Sequence, residues 1–184
     1  ATNPQAVETL RQRKLRVGKP FALMLPDLAA VTRHCRVSPA EAALLESRQR
    51  PVVILERLPA SPVAEAVAPE QHTLGVMLPY TPLHYLLFAD PDQSPIVFDL
   101  PPLVMTSGNL SEEPIATGNA EARQRLSALA DGFLMHNRDI HTRCDDSVVR
   151  GQPDNGRIYP LRRARGYAPD PLRLPFDLPA ILAT

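Results

Sequence analysis

Short apolar runs alternate with helix-like segments along most of this chain, and no other feature of the sequence constrains the fold as strongly. Strands that alternate with helices predict an α/β fold. A turn-forming stretch at 153–156 that leads into 157–161 predicts a hairpin, and therefore a mixed sheet. The clearest strand-like runs lie at 21–25, 52–55, 74–78, 103–105, 133–135 and 147–150.

Local signals place several helix starts. Asn3 is a favourable N-cap, and Pro4 suits the first helical position. The segment 38–41 combines an early proline with a capping box. Further helices are predicted at 82–88 and from 117 or 119 to about 130. The 21 prolines suit such a chain of short elements, since many of them lie at element starts or in connections.

Composition limits the class of protein. A chain of 184 residues with 44% hydrophobic residues can build a real core and is not wholly disordered. Basic and acidic side chains number 20 each, so net charge does not indicate nucleic-acid binding. No apolar run reaches membrane length, and no signal-peptide pattern is present. We therefore expect a cytoplasmic protein that makes no use of a membrane.

The stretch 103–109 is the first candidate for a binding site. Its apolar residues predict a buried strand that ends at Ser107, Gly108 and Asn109. The carboxyl ends of strands in open α/β sheets are common ligand sites, and glycine permits close approach to the backbone. An ordinary turn after a strand is the alternative, because serine, glycine and asparagine are all turn formers.

Charged clusters supply the other candidates. Lys14, Arg16 and Lys19 follow the first helix and suit phosphate oxygens, although a solvated basic face has the same pattern. The run 162–167 places three arginines beside a glycine and a tyrosine, which predicts a second anion contact or a merely solvated patch. Asp145 and Asp146 could share Mg²⁺ with substrate phosphates, or could form a polar turn.

The order of these motifs along the chain resembles the YrdC-like family. The segments that carry the resemblance are 13–22 (RKLRVGKPFA), 106–111 (TSGNLS), 145–150 (DDSVVR) and 162–169 (RRARGYAP). Their local context resembles the YrdC-like domain of HypF-type carbamoyltransferases, and the resemblance covers most of the chain. The resemblance implies a YrdC-like twisted open mixed sheet flanked by helices. We also expect from the resemblance that the family's first strand, which normally precedes the helix at Asn3, is lacking.

The resemblance also implies a domain organisation. Residues 1–170 would form an N-terminally truncated, nucleotide-binding YrdC-like domain, and residues 171–184 would be a linker toward a following transferase domain. An acylphosphatase-like domain would lie upstream in the parent chain.

The activity implied is the ATP-dependent formation of carbamoyl adenylate from carbamate. In HypF-type enzymes the carbamoyl group then passes to the C-terminal cysteine of a partner protein during hydrogenase maturation. ATP and Mg²⁺ would be the cofactors, with Asp145 and Asp146 as metal ligands. The resemblance and the basic cluster together give the candidate ATP- and carbamate-binding residues, which are Lys14, Arg16, Lys19, Ser107, Asn109, Ser147, Arg163 and Arg165.

Two points stay open on the sequence alone. Either Arg163 or Arg165 could supply the family's arginine contact, because neither matches its spacing to glycine uniquely. The function could also be that of a tRNA threonylcarbamoyl-adenylate synthase or an antibiotic O-carbamoyltransferase, or that of a double-stranded RNA-binding module. The zero net charge weighs against the RNA-binding alternative.

Overall fold

A mixed sheet of seven strands organises the molecule in the computed structural model, which describes residues 1–89, 100–110, 113–152, 157–172, 176 and 179. The strands are β1 (Ala22–Met24), β2 (Cys35–Arg36), β3 (Val52–Arg57), β4 (Thr73–Met77), β5 (Leu103–Met105), β6 (Val148–Gly151) and β7 (Ile158–Arg162). The helices are α1 (Pro4–Arg13), α2 (Leu28–Thr32), α3 (Pro39–Glu46), α4 (Pro82–Phe88) and α5 (Asn119–Arg125), with a 3-10 helix at Glu65–Val67.

Strand pairing confirms the predicted mixed α/β sheet. The strand order is β5-β1-β4-β3-β6-β7, and β2 pairs with the far end of β3. The pairs β1–β4 and β3–β6 are parallel, whereas the other neighbours are antiparallel. The β6–β7 pairing confirms the predicted hairpin partners, although the turn at 153–156 lies outside the described residues.

One face of the sheet carries the main hydrophobic core. Alternate strand residues point to this face, because successive side chains in a strand lie on opposite sides. Leu23, Val53 and Val76 are fully buried there. They belong to one buried cluster with Val7 of α1 and Leu45 of α3, and α2 and the 3-10 helix contribute to the same cluster. The helices therefore cover this face.

The opposite face is only partly filled by a helix in the described part of the chain. Phe88 of α4 packs with Met24 and Met77 in a second, smaller cluster. Further along the same face, Ala22 and Gly75 are register partners with little or no side chain. The small residues leave room over the middle of the sheet, and that room becomes the candidate site.

The predicted helix starts are largely confirmed. The Asn3 side chain accepts a hydrogen bond from the Ala6 N–H at 3.1 Å, and Ser38 forms a full capping box with Glu41. Helix α4 spans the predicted 82–88, capped by Thr81. These starts depend on side chains within a few residues of one another, so the sequence alone is sufficient to place them.

Three expectations differ from the structure. Helix α5 starts after Gly118 and ends at Arg125, short of the predicted end, because Leu126 leaves helical geometry at φ −105°. The run 133–135 is not a strand: Leu134 is 69% exposed and the run pairs with no described strand. β5 is half-buried rather than buried, since it lies at one end of the strand order. Most of the predicted linker 171–184 lies outside the described residues.

The two cysteines should differ sharply in reactivity. Cys35 is only 2% exposed, whereas Cys144 is exposed. We expect Ellman's reagent to modify one thiol rapidly in the native protein and the second only after denaturation. Cys144→Ser should remove the fast phase, and Cys35→Ala should leave it intact. A fast reaction in native Cys144→Ser protein would contradict the burial of Cys35.

Cys35 should also make stability depend on alkaline pH. Burial raises the pKa of its thiol to about 12 in the folded protein, from an ordinary value of 9.0. The unfolded chain therefore loses this proton at lower pH than the folded chain, and stability falls as pH rises between these values. The free energy of unfolding should drop by at most about 1.4 kcal/mol per pH unit from this group. Urea denaturation from pH 8 to pH 10.5 should show a steeper decline for wild type than for Cys35→Ala; parallel declines would refute the expectation.

Candidate functional site

A concavity of about 330 Å³ lies over the open part of the sheet. Its floor includes the small pair Ala22 and Gly75, together with Ile54 of β3. Its walls come from the loop after α1, the corner after β5, the segment before β6, and the end of β7. The wall residues that carry polar groups are Arg16, Thr106, Ser107, Asp145, Asp146 and Arg162.

The predicted corner after β5 does form one wall, but not at the predicted edge of the sheet. β5 runs antiparallel to β1, with Met105 opposite Ala22. The carboxyl end of β5 therefore meets the amino end of β1. The rule that ligands bind at the carboxyl ends of parallel strands does not explain this site. The small residues Ala22 and Gly75 on the open face of the sheet explain it instead.

The structure brings Lys14 together with the corner after β5. The Lys14 ammonium donates to the carbonyl oxygens of Ser107 at 2.6 Å and Asn109 at 2.8 Å. It also lies 3.4 Å from Asn109 Oδ1. Asn109 Oδ1 accepts from the Ser107 hydroxyl at 2.6 Å, and Asn109 Nδ2 donates to the Glu113 carbonyl at 2.6 Å. Hydrogen bonds among its own polar groups and from Lys14 therefore fix the conformation of the corner.

Burial defines the role of Lys14 in this structure. The residue is only 2% exposed. Desolvation, and then repulsion from Arg16, lowers the pKa of its ammonium. A buried cation needs several hydrogen-bond partners to be tolerated, and the corner carbonyls supply them. Lys14 therefore positions the corner, and the structure does not present its charge at the surface of the concavity.

The other two cations of the predicted first cluster have different positions. Arg16 lines the concavity. Its Nε donates to the Lys19 carbonyl at 3.1 Å and its Nη2 to the Pro20 carbonyl at 2.7 Å, while its guanidinium lies 4.9 Å from the centre of the Phe21 ring. Lys19 is exposed and contributes its backbone carbonyl to this arrangement rather than a side chain to the wall.

The arginine-rich segment places a different arginine at the concavity from those predicted. Arg162, the last residue of β7, lines the wall, and its Nε donates to the Asp146 carbonyl at 2.8 Å. Arg163 instead donates to the backbone carbonyls of Tyr167 and Asp170. The sequence analysis included Arg162 in the run 162–167 as a possible anion contact, but it named only Arg163 and Arg165 as binding residues.

Strand register explains why Arg162 reaches the concavity. Val148 and Arg162 are register partners in the β6–β7 pair. Cross-strand partners place their side chains on the same face of a sheet. Because Val148 lies on the open face, Arg162 does as well. The spacing to glycine, which directed attention to Arg163 and Arg165, carries no such information.

Arg165 connects several segments beneath the site. Its Nε donates to Asp146 Oδ1 at 2.7 Å, and its two terminal nitrogens donate to the carbonyls of Gln49 at 3.1 Å and Arg50 at 2.8 Å. Its guanidinium lies 3.5 Å from the centre of the Tyr80 ring. These contacts occupy the guanidinium with protein groups, so Arg165 orients Asp146 rather than lining the concavity.

Ser147 has a similar supporting position. It is fully buried. Its hydroxyl donates to the Arg165 carbonyl at 2.9 Å and accepts from the Ala164 N–H at 2.7 Å. Its own carbonyl accepts from the Val52 N–H at 2.8 Å. Ser147 therefore joins β3, the start of β6 and the arginine-rich segment.

The two predicted metal ligands both lie at the wall of the concavity. Asp145 is exposed, and Asp146 is half-buried and paired with Arg165. Among the described residues, no group of three or more histidine, cysteine or acidic side chains converges on one point. A site with a single available carboxylate still fits Mg²⁺, which commonly uses one or two carboxylates and takes its other ligands from phosphates and water.

A smaller pocket of about 190 Å³ adjoins the concavity. The two share the wall formed by Met105, Thr106, Ser107, Asp145 and Asp146. The remaining lining of the smaller pocket is mainly apolar or aromatic and consists of Met77, Tyr80, Ile115 and Cys144. A ligand that combines anionic groups with a flat apolar part would match this pair of compartments.

Comparison with known proteins identifies the family. The family model Sua5_yciO_yrdC, described as telomere recombination, matches residues 1–164. The chain belongs to the Sua5–YciO–YrdC family. This confirms the predicted YrdC-like membership and fold.

Within the Sua5–YciO–YrdC family, the chain is similar to a domain of HypF proteins. It is 51% identical over 177 residues to carbamoyltransferase HypF of Rhodobacter capsulatus. The aligned region covers 95% of this chain and 22% of that protein. A full-length HypF structure, described as phosphate- and nucleotide-bound, matches with a TM-score of 0.81 and 50% identity over 92% of this chain and 21% of that one. The chain therefore spans less than a quarter of these relatives.

A more distant Sua5–YciO–YrdC structure supports the fold alone. Sua5 of P. abyssi, in complex with L-threonine, matches with a TM-score of 0.69 at 17% identity, over 89% of this chain and 46% of that one.

No helix in the described part of the present chain is both long enough and apolar enough to cross a membrane.

Removal of the Ser147 hydroxyl should destabilise the fold. Ser147→Ala removes a fully buried hydroxyl and leaves the partly buried Ala164 N–H without its acceptor. An unsatisfied buried donor costs about 1–3 kcal/mol, and we expect that loss in the free energy of unfolding measured with urea. Ser127→Ala, at an exposed serine whose hydroxyl bonds only within its own turn, is the control and should change stability by less than about 0.5 kcal/mol. Equal stability of the two variants would be inconsistent with the supporting role of Ser147.

Proposed function

We propose that the concavity binds ATP and carbamate and that this domain forms carbamoyl adenylate within a hydrogenase-maturation carbamoyltransferase. The observation that carries the proposal is the convergence of Arg16 and Arg162 on one concavity. Burial, then repulsion from Arg11, then repulsion from Arg162 lowers the pKa of the Arg16 guanidinium. Positive charges held close enough to repel each other favour an anionic ligand between them.

The polar groups around the arginines suit a nucleotide. Thr106 and Ser107 line both the concavity and the adjoining pocket. The Ser107 hydroxyl already donates to Asn109 Oδ1, so its oxygen is left as an acceptor for a ligand donor. The apolar and aromatic side chains in the smaller pocket, among them Met77, Tyr80 and Ile115, suit a flat heterocycle. Phosphates beside Arg16 and Arg162 would place the heterocycle within reach of the smaller pocket.

The chemistry is a displacement at the α-phosphate. A carbamate oxygen forms a bond to the α-phosphorus, and the bond from that phosphorus to the β-phosphate oxygen breaks, which releases pyrophosphate. This reaction needs positioning and charge stabilisation more than covalent help. Arg16 and Arg162 hold the anionic groups, and the corner fixed by Lys14 orients the nucleotide. Mg²⁺, held by Asp145 and the phosphates, would supply further neutralisation of phosphate charge.

The remaining steps belong to other domains of such an enzyme. We propose that carbamate comes from an acylphosphatase-like domain and that a transferase domain passes the carbamoyl group to the C-terminal cysteine of an acceptor protein. The 51% identity to a carbamoyltransferase HypF, of which the chain covers only 22%, supports this division of labour. The cytoplasm is the compartment that we propose for it.

Arg162→Ala should weaken nucleotide binding selectively. Loss of one charge-assisted contact is worth about 1.5–3 kcal/mol, so the Kd for Mg-ATP should rise on the order of tenfold to a hundredfold. Isothermal titration calorimetry on the 184-residue chain measures this change. Arg33→Ala, at an exposed arginine after α2 and away from the concavity, is the matched control and should bind as wild type. An unchanged Kd in Arg162→Ala would remove the phosphate-binding role of the concavity.

A second assay separates the competing functions. In a carbamoyltransferase chain that contains this domain, exchange of pyrophosphate into ATP should depend on added ammonium carbamate and should fall with Arg162→Ala. Stimulation by threonine instead would indicate a threonylcarbamoyl-adenylate synthase. Salt-dependent binding of double-stranded RNA that ATP does not affect would indicate an RNA-binding module.

A further inference from the structure

A buried arginine outside the concavity holds the loop that presents Arg16. Arg11 lies in the last turn of α1 and is only 7% exposed. Its Nε donates to the Ala66 carbonyl at 2.5 Å, its Nη1 to the Arg16 carbonyl at 2.9 Å, and its Nη2 to the Lys19 carbonyl at 3.0 Å. One side chain therefore joins the 3-10 helix region to both ends of the segment 16–19.

The charge of Arg11 is balanced by dipoles rather than by an acid. Within the described ranges, no carboxylate forms an ion pair with Arg11. The guanidinium lies 5.0 Å from the centre of the Phe21 ring, and Arg16 lies 4.9 Å from the same ring. An arginine stays charged at any ordinary pH, so its burial here depends on the three carbonyls and the ring.

The loop is held by hydrogen bonds rather than by buried apolar side chains. Leu15 adopts φ +51°, a left-handed conformation that costs a leucine backbone energy. Its side chain is 75% exposed and that of Val17 is 90% exposed, so neither anchors the loop by burial. A strained loop without apolar anchors persists only when other contacts determine it. Short-range backbone hydrogen bonds supply some of these contacts, and Arg11, which does not itself line the concavity, supplies three more.

We propose that Arg11 is a positioning residue that sets the location of the Arg16 guanidinium for anion binding. The Lys19 carbonyl accepts from both Arg11 and Arg16, so the two guanidinium groups share one backbone oxygen as well as one aromatic ring. A shift of this carbonyl on loss of Arg11 moves the group to which Arg16 is bonded. The inference rests on the proposed nucleotide site, and it adds a residue that does not touch the ligand.

A double-mutant cycle tests whether Arg11 acts through Arg16. The variants are Arg11→Met, Arg16→Ala and the double variant, with Kd for Mg-ATP measured by calorimetry on the 184-residue chain. Arg11→Met should raise Kd roughly tenfold, by loss of alignment of one charged contact. In the Arg16→Ala background the same change should have little further effect, because the group that it positions is gone.

Two further variants separate positioning from general stability. Leu45→Ala removes a fully buried side chain of α3 that does not line the concavity, and it lowers stability. It should leave Kd unchanged in the folded fraction. Arg11→Lys retains the charge but cannot donate from three separate nitrogens to the three carbonyls. It should therefore give a Kd between those of wild type and Arg11→Met. If Arg11→Met does not fold, the cycle is run with Arg11→Lys.

The outcomes distinguish the two proposals. Wild-type affinity in the Arg11 variants, or an equal loss of affinity with and without Arg16, would overturn the positioning role while leaving the nucleotide site intact. No effect of Arg16→Ala, or no binding of Mg-ATP by wild type, would overturn the nucleotide site and the positioning role together.

Discussion

The site depends on one buried ammonium group. Lys14, at the end of the first helix, donates to the backbone of a corner more than 90 residues later in the chain, at Ser107 and Asn109. This interaction joins α1, which packs on the covered face of the sheet, to β5 at the end of the strand order. Because a buried cation without partners is costly, the corner and the helix end have to meet, and their meeting forms one wall of the concavity.

Charge around the concavity divides into groups that build the site and groups that face it. Lys14, Arg11 and Arg165 donate chiefly to protein carbonyls or carboxylates. Lys14 and Arg11 are buried, and Arg165 is half-buried. Arg16 and Arg162 also have protein contacts, yet both line the open surface. The supporting cations hold backbone segments in place, so the guanidinium groups that line the concavity are already positioned in the structure.

The sequence was informative where the physics is local. Asn3 and the capping box at Ser38 and Glu41 place helix starts through bonds that span three residues. The alternation of apolar runs and helices indicated a mixed α/β sheet, and the order of the motifs indicated the family. The run 133–135 shows the limit of this reasoning. It has the composition of a strand, but a strand also needs a partner, and a single apolar run cannot indicate one.

By itself the sequence determined the fold class, most helix starts, the family, and the short segments from which the site is built. Only the tertiary structure decided that Lys14 is buried, that Lys19 does not line the concavity, and that Arg162 rather than Arg163 or Arg165 does. The reason is physical. Whether a cation lines the concavity depends on strand register and on which distant carbonyls accept its hydrogen bonds. The residues adjacent to it in the sequence determine neither.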